Sequence, residues 1–571
     1  MNATVGNLNV IFNGYRVVEI PFFQRSYVWS IPQWERLLDD IKMVCARRKP
    51  HFMGSVILKL KDTPTNTFGE YRLLIDGQQR LTTFNVFLKV LDLKSKQPFL
   101  HKKIFTLHDD SLALRHNRSD IHDFNTVMLM ENPTSMEGSS QIINAYNYFL
   151  EHINPEELSL NDILHNIRFV IIDLSYEDDE QEIFDTINSL GVRLTTAELL
   201  KNFFFNDIND LNSYETFWEN TFEKEEKDFW DQEITAGRNK RANIDVFFYS
   251  FLQIKLQDTS LNVSSEDKKY LGKVDGLFAS YKTLIKNYKI DKMAIIKEIN
   301  EYAQIYKKNI DFNVSKRSFP SNSYRDRINL LIFGLETTTL ISYILYLLKN
   351  NTNEEELNKT FQYLEAYIMR RMVCHETNKN YNQLFTERFI GNQLNTKEKV
   401  KNYIENLSGD INRMPTDKDL ELGFHNSLLI NKQSLGILYV LELSIRDDKK
   451  YSTMLGPLSH YSLEHIMPKK WRNHWVLEEG LEPKKRDRAL LTLGNLTILS
   501  ASLNISIRDA NWENKKAGRG LTKKGLKQYA SGLETFSSYL SYEHWNEETI
   551  LERANHLTRI AKEVWSISKP S

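Results

Sequence analysis

The chain has 571 residues, of which 41% are hydrophobic and 26% are charged, and its formal net charge is −1. This composition is typical of a soluble globular protein and excludes disordered, collagenous and membrane-spanning classes of chain. The near-zero charge excludes a globally basic protein that coats nucleic acid, so any nucleic-acid surface must come from local patches. The length exceeds one hydrophobic core and predicts roughly two to four domains.

Cysteine usage and apolar runs bear on the compartment. Cys45 and Cys374 are the only cysteines, so neither a disulfide framework nor a cysteine-based zinc site is expected. The first ten residues lack the charged and apolar regions of a secretory signal, and we expect a cytoplasmic protein. The apolar segment 330–348 is almost long enough to cross a bilayer, but it carries Glu336 in its middle. We therefore predict a buried helix there and no membrane partner.

The first region, up to about residue 206, mixes strand and helix patterns. Apolar β-rich runs predict strands at 52–60, 71–75 and 168–173, and 3.6-residue periodicity predicts helices at 33–46 and 82–93. Ser30 with Gln33, and Thr195 with Glu198, have the spacing of a capping box and predict two helix starts. These patterns together predict an α/β region.

The sequence Ile75-Asp76-Gly77-Gln78-Gln79-Arg80-Leu81-Thr82-Thr83 lies where a predicted strand gives way to a helix. Glycine permits a tight turn, and the amides of a helix start, with an arginine and threonine hydroxyls, can bind phosphate. An Asp-Gly turn beside a surface arginine is also common without any ligand, so residue types alone leave both interpretations open. Three nearby aromatic residues can stack on a base, but we expect them to pack in the core: Tyr27, Trp29 and Trp34.

From about residue 213 to 431, long amphipathic stretches with few glycines or prolines, including 277–309 and 354–372, predict a helical bundle. A further helix is predicted at 434–445. We therefore predict an α+β, predominantly helical fold in three parts: an α/β domain at 1–210, a helical connecting region at 211–432 and a C-terminal domain at 433–571.

The C-terminal part contains Leu463-Glu464-His465-Ile466-Met467-Pro468, then Leu493-Gly494-Asn495-Leu496-Thr497, then Asn504. Pro468 favours a loop, 493–499 a strand and 506–516 a helix, so strand, loop, strand and helix bring Glu464, His465 and Asn504 together. A histidine beside a carboxylate can deprotonate water while oxygen ligands hold a hard cation against a phosphate. A lone Glu-His pair on a solvated basic face is the alternative.

Many cations surround this segment and can grip a phosphate backbone. Those before the second predicted strand are Lys469, Lys470, Arg472, Lys484, Lys485, Arg486 and Arg488. Those after it are Arg508, Lys515, Lys516, Arg519, Lys523, Lys524 and Lys527.

Both ends of the chain resemble one protein family. Residues 440–530 resemble the His-Me finger (HNH) nuclease domain of GmrSD-type, modification-dependent (type IV) restriction enzymes, whose pattern runs Asp-His-Ile-x-Pro, Leu-Gly-Asn-Leu, then asparagine and lysine. Residues 20–29, the Asp76 to Arg80 segment and residues 184–195 resemble, in the same order, the N-terminal domain of that family. Met369-Arg370-Arg371 also resembles a family pattern.

For the C-terminal part, the resemblance implies a ββα-metal (HNH) domain that binds Mg²⁺ or Mn²⁺. Carried over by position, His465 is the general base, Asn495 orients the site, and Lys515 or Lys516 contacts the scissile region. Glu464 and Asn504 are the implied metal ligands. Glu464 stands where the family usually has aspartate, so its carboxylate lies about one ångström further from the backbone.

For the N-terminal part, the resemblance implies a ParB/sulfiredoxin-like fold that binds and hydrolyses a nucleoside triphosphate, whether GTP, ATP, UTP or CTP. By that resemblance the nucleotide pocket is lined by Gln24, Arg25, Asp76, Gln78, Gln79, Arg80 and Thr82. No Gly-x-x-x-x-Gly-Lys-Ser/Thr segment occurs, so the chain is not a P-loop enzyme.

The resemblance leads us to expect a nucleotide-regulated, metal-dependent endonuclease that cuts modified phage double-stranded DNA in anti-phage defence. Such an enzyme can also act as a homodimer. Two alternatives stay open. One is a nucleotide-switched DNA-binding protein with a degenerate nuclease domain, for which Glu464 is the hint. The other is a nickase that senses backbone phosphorothioate, as the related SspE proteins do. BrxU is a further relative of the GmrSD-type enzymes.

Overall fold

The computed structural model divides the chain into two compact units, Met1–Trp218 and Glu219–Ser571. It describes residues 2–13, 15–61, 70–95, 104–107, 109–175, 195–205, 210–236, 239–273, 276–407, 411–446, 454–477, 479–500, 509–519, 523–529 and 532–567. The fold mixes helices and strands and is mostly helical, as predicted. The three-part division of the chain stays a prediction.

The first unit is built on a six-stranded mixed sheet. Its strands are β1 (Asn2–Gly6), β2 (Arg16–Glu19), β3 (His51–Leu60), β4 (Glu70–Asp76), β5 (Leu114–Arg115) and β6 (Ile167–Leu174). Their order is β1-β6-β3-β4-β2-β5. The β1/β6 and β3/β4 pairs are antiparallel, whereas β6/β3, β4/β2 and β2/β5 are parallel. The three strands predicted from the sequence are confirmed as β3, β4 and β6.

Helices surround this sheet. They are α1 (Leu8–Ile11), α2 (Ile31–Arg47), α3 (Gln78–Ser95), α4 (Ile121–Leu129), α5 (Gln141–His152), α6 (Leu160–Asn166), α7 (Thr196–Phe205) and α8 (Leu211–Tyr214), with a 3-10 turn at Pro155–Glu157. The capping box of Ser30 and Gln33 is confirmed at the start of α2. Glu198 and Thr195 exchange hydrogen bonds in the same way before α7.

Helix α3 lies at the centre of the core of this unit. Fifteen of its residues are buried, from Gln78 to Leu93 with one interruption at Arg80, so the helix is covered on nearly all sides. Its aromatic side chains pack against the sheet and α5: Phe84 contacts Phe169 of β6, and Phe87 contacts Phe149. A buried α3 fixes the position of its own first turn, which carries the Asp76 to Arg80 segment.

The second unit is largely helical. Its helices are α9 (Asn220–Phe222), α10 (Lys227–Asp231), α11 (Asn243–Leu256), α12 (Ser265–Leu271), α13 (Leu277–Asn287), α14 (Lys292–Asn309), α15 (Tyr324–Asn329), α16 (Ile341–Asn350), α17 (Glu354–Val373), α18 (Tyr381–Gln383), α19 (Lys397–Glu405), α20 (Asp417–Asn426), α21 (Asn431–Ile445), α22 (Pro483–Ala489), α23 (Trp512–Ala517), α24 (Leu526–Tyr529) and α25 (Glu547–Val564).

Short elements complete it. Its strands form two-stranded antiparallel ladders: β7 (Glu233–Ala236) with β8 (Asn239–Ala242), β9 (Tyr461–His465) with β10 (Leu496–Ser500), and β11 (Gly518–Arg519) with β12 (Lys523–Lys524). Wider π-type turns occur at Leu330–Gly334 and Leu384–Ile390, and a third, Glu215–Glu219, begins at the end of the first unit. 3-10 turns occur at Lys224–Glu226, Val314–Lys316, Thr338–Leu340, Leu458–His460, Trp471–Asn473, Leu493–Asn495 and Ser537–Ser541.

The apolar segment 330–348 is buried, as predicted, but the prediction of one continuous helix is wrong. The backbone leaves the helix after Gly334, and Glu336 adopts a left-handed conformation with φ of 60°. Glu336 is thereby turned outward, where it pairs with Lys432. In the part of the chain that the structure describes, no helix combines the length and apolarity needed to cross a bilayer.

The amphipathic stretch at 277–309 is helical, as the predicted bundle requires, and it is divided into two helices, α13 and α14. The left-handed Lys289 (φ 51°) lies between them, and Asp291 caps the start of α14 by accepting a hydrogen bond from the amide of Ala294 at 2.7 Å. A capping aspartate starts a new helix because its carboxylate satisfies an amide that has no partner within the helix.

A buried ion pair crosses the helical bundle of the second unit. Arg327 of α15 binds the carboxylate of Glu365 on α17 through two nitrogens and donates to the Ser444 hydroxyl at 2.7 Å. The Trp565 indole donates to the same carboxylate at 3.2 Å. Both charged side chains are under 5% exposed. Breaking such a pair leaves an uncompensated charge in the interior.

We expect Glu365→Gln to lower the free energy of unfolding by about 3–5 kcal/mol, because it strands the Arg327 charge in the core. Equilibrium urea unfolding, followed by circular dichroism, measures the change. Glu354→Gln is the matched control, since it removes the partner of Arg325 in an exposed pair and should change stability little. Equal effects of the two substitutions would contradict the prediction.

Candidate functional site

The C-terminal segment singled out from the sequence forms the hairpin β9/β10. Glu464 lies opposite Thr497, and His465 lies opposite Leu496, at the last paired position of the ladder. Because side chains alternate along a strand, Glu464 and His465 point to opposite faces of the hairpin. The predicted strand at 493–499 begins only at Leu496, since residues 493–495 form a 3-10 turn.

Asn495 fixes the chain just after His465. Its carbonyl accepts the amide of Ile466 at 2.9 Å, and its side-chain oxygen accepts the amide of Met467 at 2.9 Å. Its side-chain nitrogen donates back to the Met467 carbonyl at 2.8 Å and to the Leu490 carbonyl at 3.0 Å. The Trp545 indole donates to the same side-chain oxygen at 3.0 Å. Every polar atom of this buried side chain is used, which is the geometry an orienting residue needs.

The carboxylate of Glu464 is paired with Lys515. The Lys515 ammonium binds Glu464 Oε1 and also donates to the His465 carbonyl at 2.9 Å. The Lys515 side chain is fully buried. Burial raises the pKa of Glu464, and the Lys515 charge offsets part of that rise. Burial likewise lowers the pKa of Lys515, which the Glu464 charge opposes.

Helix α23 carries Lys515 to this position. Of the helix predicted at 506–516, residues 506–508 lie outside the described residues. Helix α23 begins at Trp512, where Asn511 caps it by accepting the Asn514 amide at 3.0 Å. The neighbouring Lys516 is also buried and donates to the Tyr542 carbonyl at 2.7 Å. Both ammonium groups thus have internal partners, and contact of either with a scissile phosphate stays a prediction.

His465 is held as a neutral imidazole. Burial, together with the nearby charges of Lys469 and Lys515, lowers its pKa to about 4. A neutral imidazole can accept a proton from water, which is the first requirement of a general base. Because this pKa lies well below 7, the imidazole of His465 is neutral in both mildly acidic and neutral solution.

The predicted metal ligands of this site are both oxygen donors. Glu464 offers carboxylate oxygen, and Asn504 offers amide oxygen; such ligands suit Mg²⁺ or Mn²⁺. Asn504 lies outside the described residues, and among the residues that are described no three His, Cys, Asp or Glu side chains form a metal-binding group. The chemistry of the predicted pair of ligands fits a hard cation, with Lys515 competing for Glu464.

The excursion between β9 and β10 carries the basic surface predicted from the sequence. Its exposed cations are Lys469, Lys470, Arg472, Lys484, Lys485 and Arg488. Trp471 anchors the excursion, with the guanidinium groups of Arg472 and Arg486 lying 4.4 and 4.8 Å from its ring centre. Arg486 itself is buried against Glu547 and therefore belongs to the core.

In the N-terminal unit, Asp76 ends β4 and Gly77 makes the turn into α3. Gly77 has φ of 102°, and a side chain there would approach Val56 at 3.1 Å, so the turn requires glycine. Arg80 donates to Asp76 at 2.8 Å and to the Ser55 carbonyl at 2.7 Å. It passes over Gly54, which also has positive φ, at 107°. Asp76 and Arg80 are thus joined as an ion pair at the end of β3 and β4.

The glutamines of this region hold the backbone of the loop before α2. The Gln24 amide donates to the Leu74 carbonyl at 2.7 Å. Gln78 donates to the Arg25 carbonyl at 2.9 Å. Gln79 accepts from the Val28 amide at 2.9 Å. These side chains bring the two predicted segments together, and their contact with a nucleotide stays a prediction.

Thr82 points into the core. Its hydroxyl lies 2.7 Å from His116 Nε2, and the residue is fully buried. Tyr27 and Trp34 also pack inside, as predicted, and the Trp34 indole donates to the Tyr27 hydroxyl at 2.7 Å. That hydroxyl lies 2.6 Å from Thr83 of α3.

Sequence reasoning missed the segment His116-Asn117-Arg118-Ser119-Asp120. Asn117 donates to the Gln24 carbonyl at 3.0 Å, and Asp120 accepts the Tyr27 amide at 2.7 Å. Both therefore support the same loop as the motif glutamines. The available signal was a run of polar residues directly after a short apolar strand, which is unusual for residues that are then buried.

Comparison with protein families decides the relationship. Residues 8–205 match the model of the GmrSD restriction endonuclease N-terminal domain, and residues 414–560 match that of the GmrSD restriction endonuclease C-terminal domain. The chain belongs to the GmrSD restriction endonuclease family. No curated protein matches the chain. Membership of the GmrSD family carries a restriction nuclease role with DNA as substrate.

Two further segments, 184–195 and 369–371, resemble GmrSD-type sequences. The segment 184–195 lies outside the described residues except for Thr195. Arg370 and Arg371 are fully buried: Arg370 binds the carbonyls of Trp565 and Pro415 and the carboxylate of Asp417. Their position is that of structural residues within the second unit.

Burial lowers the pKa of His116 to about 3, whereas its ordinary value is about 6.5. Protonation therefore favours the unfolded chain, and this contribution to stability is present above pH 6.5 and is lost as the pH falls toward 3. We expect a loss of up to about 1.4 kcal/mol per pH unit in this window, which His116→Gln should abolish.

Urea unfolding of both proteins between pH 7.5 and 4 measures the difference. The facing Asp120 has its pKa raised to about 6 by burial, so its contribution has the opposite sign and is present in both proteins. His152→Gln, at an exposed position, is the control. Parallel stability curves for the parent and His116→Gln would sink the prediction.

Proposed function

We propose that the chain is a metal-dependent DNA endonuclease that cuts modified phage DNA under nucleotide control. The observation that carries this proposal is the hairpin end that holds Glu464 and His465, fixed by the Lys515 bond to the His465 carbonyl and by the Asn495 clamp on Met467, within the matched C-terminal domain. In this proposal double-stranded DNA is the substrate. We expect the protein to be cytoplasmic and able to form a homodimer.

The cleavage step uses His465 as the base. A water oxygen attacks phosphorus, its proton passes to the imidazole, and the bond between phosphorus and the leaving oxygen breaks. When bound at Glu464 and Asn504, Mg²⁺ or Mn²⁺ supplies positive charge to the phosphate and the leaving oxygen. The exposed cations of the excursion, such as Lys469 and Lys484, hold the DNA backbone without reading its sequence.

Lys515 serves this site by holding β9. Its ammonium spans the Glu464 carboxylate and the His465 carbonyl, so it fixes both the candidate ligand and the backbone of the candidate base. Asn495 holds the residues that follow. These two contacts, from different directions, keep His465 in one position relative to a bound phosphate.

For the N-terminal unit we propose a nucleoside triphosphate site around Asp76 and Arg80. The polyphosphate competes with Asp76 for Arg80, because a guanidinium binds phosphate in two-point fashion. Gln24, Gln78, Gln79 and Arg25 act there by shaping the loop that borders this site. Hydrolysis of the nucleotide is part of the proposal.

A second candidate function is a nucleotide-switched DNA-binding protein that does not cut. The specific observation in its favour is the Glu464–Lys515 ion pair, which neutralises the candidate metal ligand at the position where the family usually has aspartate. The two candidates differ in one measurement, the metal-dependent breakage of phosphodiester bonds.

We expect His465→Ala to reduce cleavage by roughly 100-fold or more, the usual contribution of a general base. Purified protein is incubated with Mg²⁺ or Mn²⁺, with and without each nucleotide, on plain, hydroxymethylated, glucosylated and phosphorothioated DNA. His460→Ala changes an exposed histidine just before β9; it is the control and should cut like the parent.

Asn504→Ala and chelation should each abolish cleavage and leave DNA binding in place. Intact DNA in every reaction of the parent protein, with binding retained, would select the non-cutting alternative. Cleavage by His465→Ala at the parent rate would remove the proposed base.

We expect Arg80→Ala to weaken nucleotide binding at least tenfold, because a charged contact to phosphate is lost. Isothermal titration with each of the four nucleoside triphosphates measures the dissociation constant. Arg48→Ala is the control, since Arg48 is 79% exposed and pairs with Asp162 in the same unit. Equal binding by the parent and Arg80→Ala would contradict the proposed pocket.

A further inference from the structure

Arg553 of α25 converges on the turn that contains Asn495. Its Nη1 donates to the carbonyls of Gly494 at 2.9 Å, Leu496 at 2.7 Å and Leu493 at 3.3 Å. Its Nε donates to the Thr535 carbonyl at 3.2 Å. The side chain is fully buried. One nitrogen thus gathers the carbonyls on both sides of Asn495 and sets the curvature of the turn.

The surroundings of Arg553 indicate that its role is to hold the turn that contains Asn495. Within the described residues its hydrogen-bond partners are all neutral carbonyls, and its guanidinium lies 5.3 Å from the Phe536 ring centre. Burial lowers its pKa to about 10. Placing a cation in the interior without a directly bonded carboxylate is costly, so the contact with the turn must offset that cost.

Gly494 gives a second, independent contact between α25 and this turn. A side chain at Gly494 would collide with the Ile550 carbonyl, three residues before Arg553 on the same helix. The turn therefore rests directly on the helix backbone. Trp545, just before α25, donates to the Asn495 side chain. Three neighbouring positions of one segment fix Asn495 from outside the hairpin.

We propose that Arg553 is a positioning residue of the nuclease site. It acts through Asn495, whose clamp on Met467 fixes the chain that follows His465. The inference rests on the proposed nuclease function for its kinetic consequence, whereas its structural consequence, the position of Asn495, can be measured without cleavage.

The test compares Arg553→Lys with Arg371→Lys. Arg371 is also fully buried in the second unit, and it donates to the carbonyls of Ile411, Arg413 and Thr377 and to the Tyr381 hydroxyl. It has no contact with the hairpin β9/β10 among these bonds. Both substitutions keep the charge and replace a forked donor by a single ammonium, so they form a matched pair.

We expect Arg553→Lys to lower kcat roughly 10- to 100-fold with KM for DNA changed less than about threefold, because misplacement of a catalytic group affects the chemical step. Arg371→Lys should lower the unfolding midpoint by a similar amount and leave kcat unchanged. The double variant Arg553→Lys/Asn495→Ala should lose little more than Asn495→Ala alone, since both act through one contact.

The Trp545 indole N–H gives a readout that needs no activity. Its ¹⁵N–¹H resonance, assigned with Trp545→Phe, should shift in Arg553→Lys and stay unchanged in Arg371→Lys, because the indole is bonded to Asn495. If the resonance shifts in Arg553→Lys while the parent protein does not cut DNA, the placement of Asn495 by Arg553 is supported and the nuclease function is rejected.

An unshifted resonance together with full additivity of the two substitutions would overturn the inference. Arg553→Gln, which keeps one donor, replaces Arg553→Lys if the lysine variant does not fold. If both variants unfold while Arg371→Lys remains folded, Arg553 stabilises the fold as a whole and the positioning role is rejected.

Discussion

The amide side chain of Asn495 joins two stretches of chain that are 28 residues apart. It bonds both the N–H and the carbonyl of Met467, as a neighbouring strand would, and so extends the β9/β10 pairing beyond the last residue of the ladder. His465 stands at that last position. Without the clamp, the residues after His465 would leave the hairpin at a variable angle, and the long basic excursion would begin from an undefined point.

The N-terminal unit uses the same physical device. Gln24, Gln78 and Gln79 bond backbone groups of facing segments, and Asn117 supplies a further bond from a fourth segment. A side-chain amide both donates and accepts, so it can stand in for one step of a sheet ladder where strands cannot form. In both units, therefore, residues that look like ligand-binding groups in the sequence also build the walls of the site.

Local patterns predicted much of the fold, because they depend on nearby residues. The strands at β3, β4 and β6 and the capping box at Ser30 followed from periodicity and spacing. The helix predicted at 330–348 failed where the left-handed Glu336 interrupts an otherwise suitable pattern, and the left-handed Lys289 likewise divides the amphipathic stretch at 277–309. Such a conformation costs little and depends on tertiary contacts, so hydrophobic periodicity does not reveal it.

The candidate site was predicted only in part, for a similar reason. Glu464, His465 and Asn495 belong to a recognisable pattern, and the hairpin places their backbones side by side, with the side chains of Glu464 and His465 on opposite faces. Lys515 was named from the resemblance, but its pairing with Glu464 was not predicted, and Arg553 was not named at all, because both contacts join residues far apart in the sequence. The sequence did not single out His116 and Asp120, because a buried polar residue is recognised only when its hydrogen-bond partners are known, and these partners are distant in sequence.

The Glu464–Lys515 pair sums to no net charge in a space with little water. In the proposed function, a divalent cation at Glu464 would meet a carboxylate whose field the Lys515 ammonium already opposes, so it would have to displace that ammonium or share the carboxylate oxygens with it. The affinity for the cation would then be the difference between two attractions. Because helix α23 carries Lys515, the position of that helix would set the strength of metal binding.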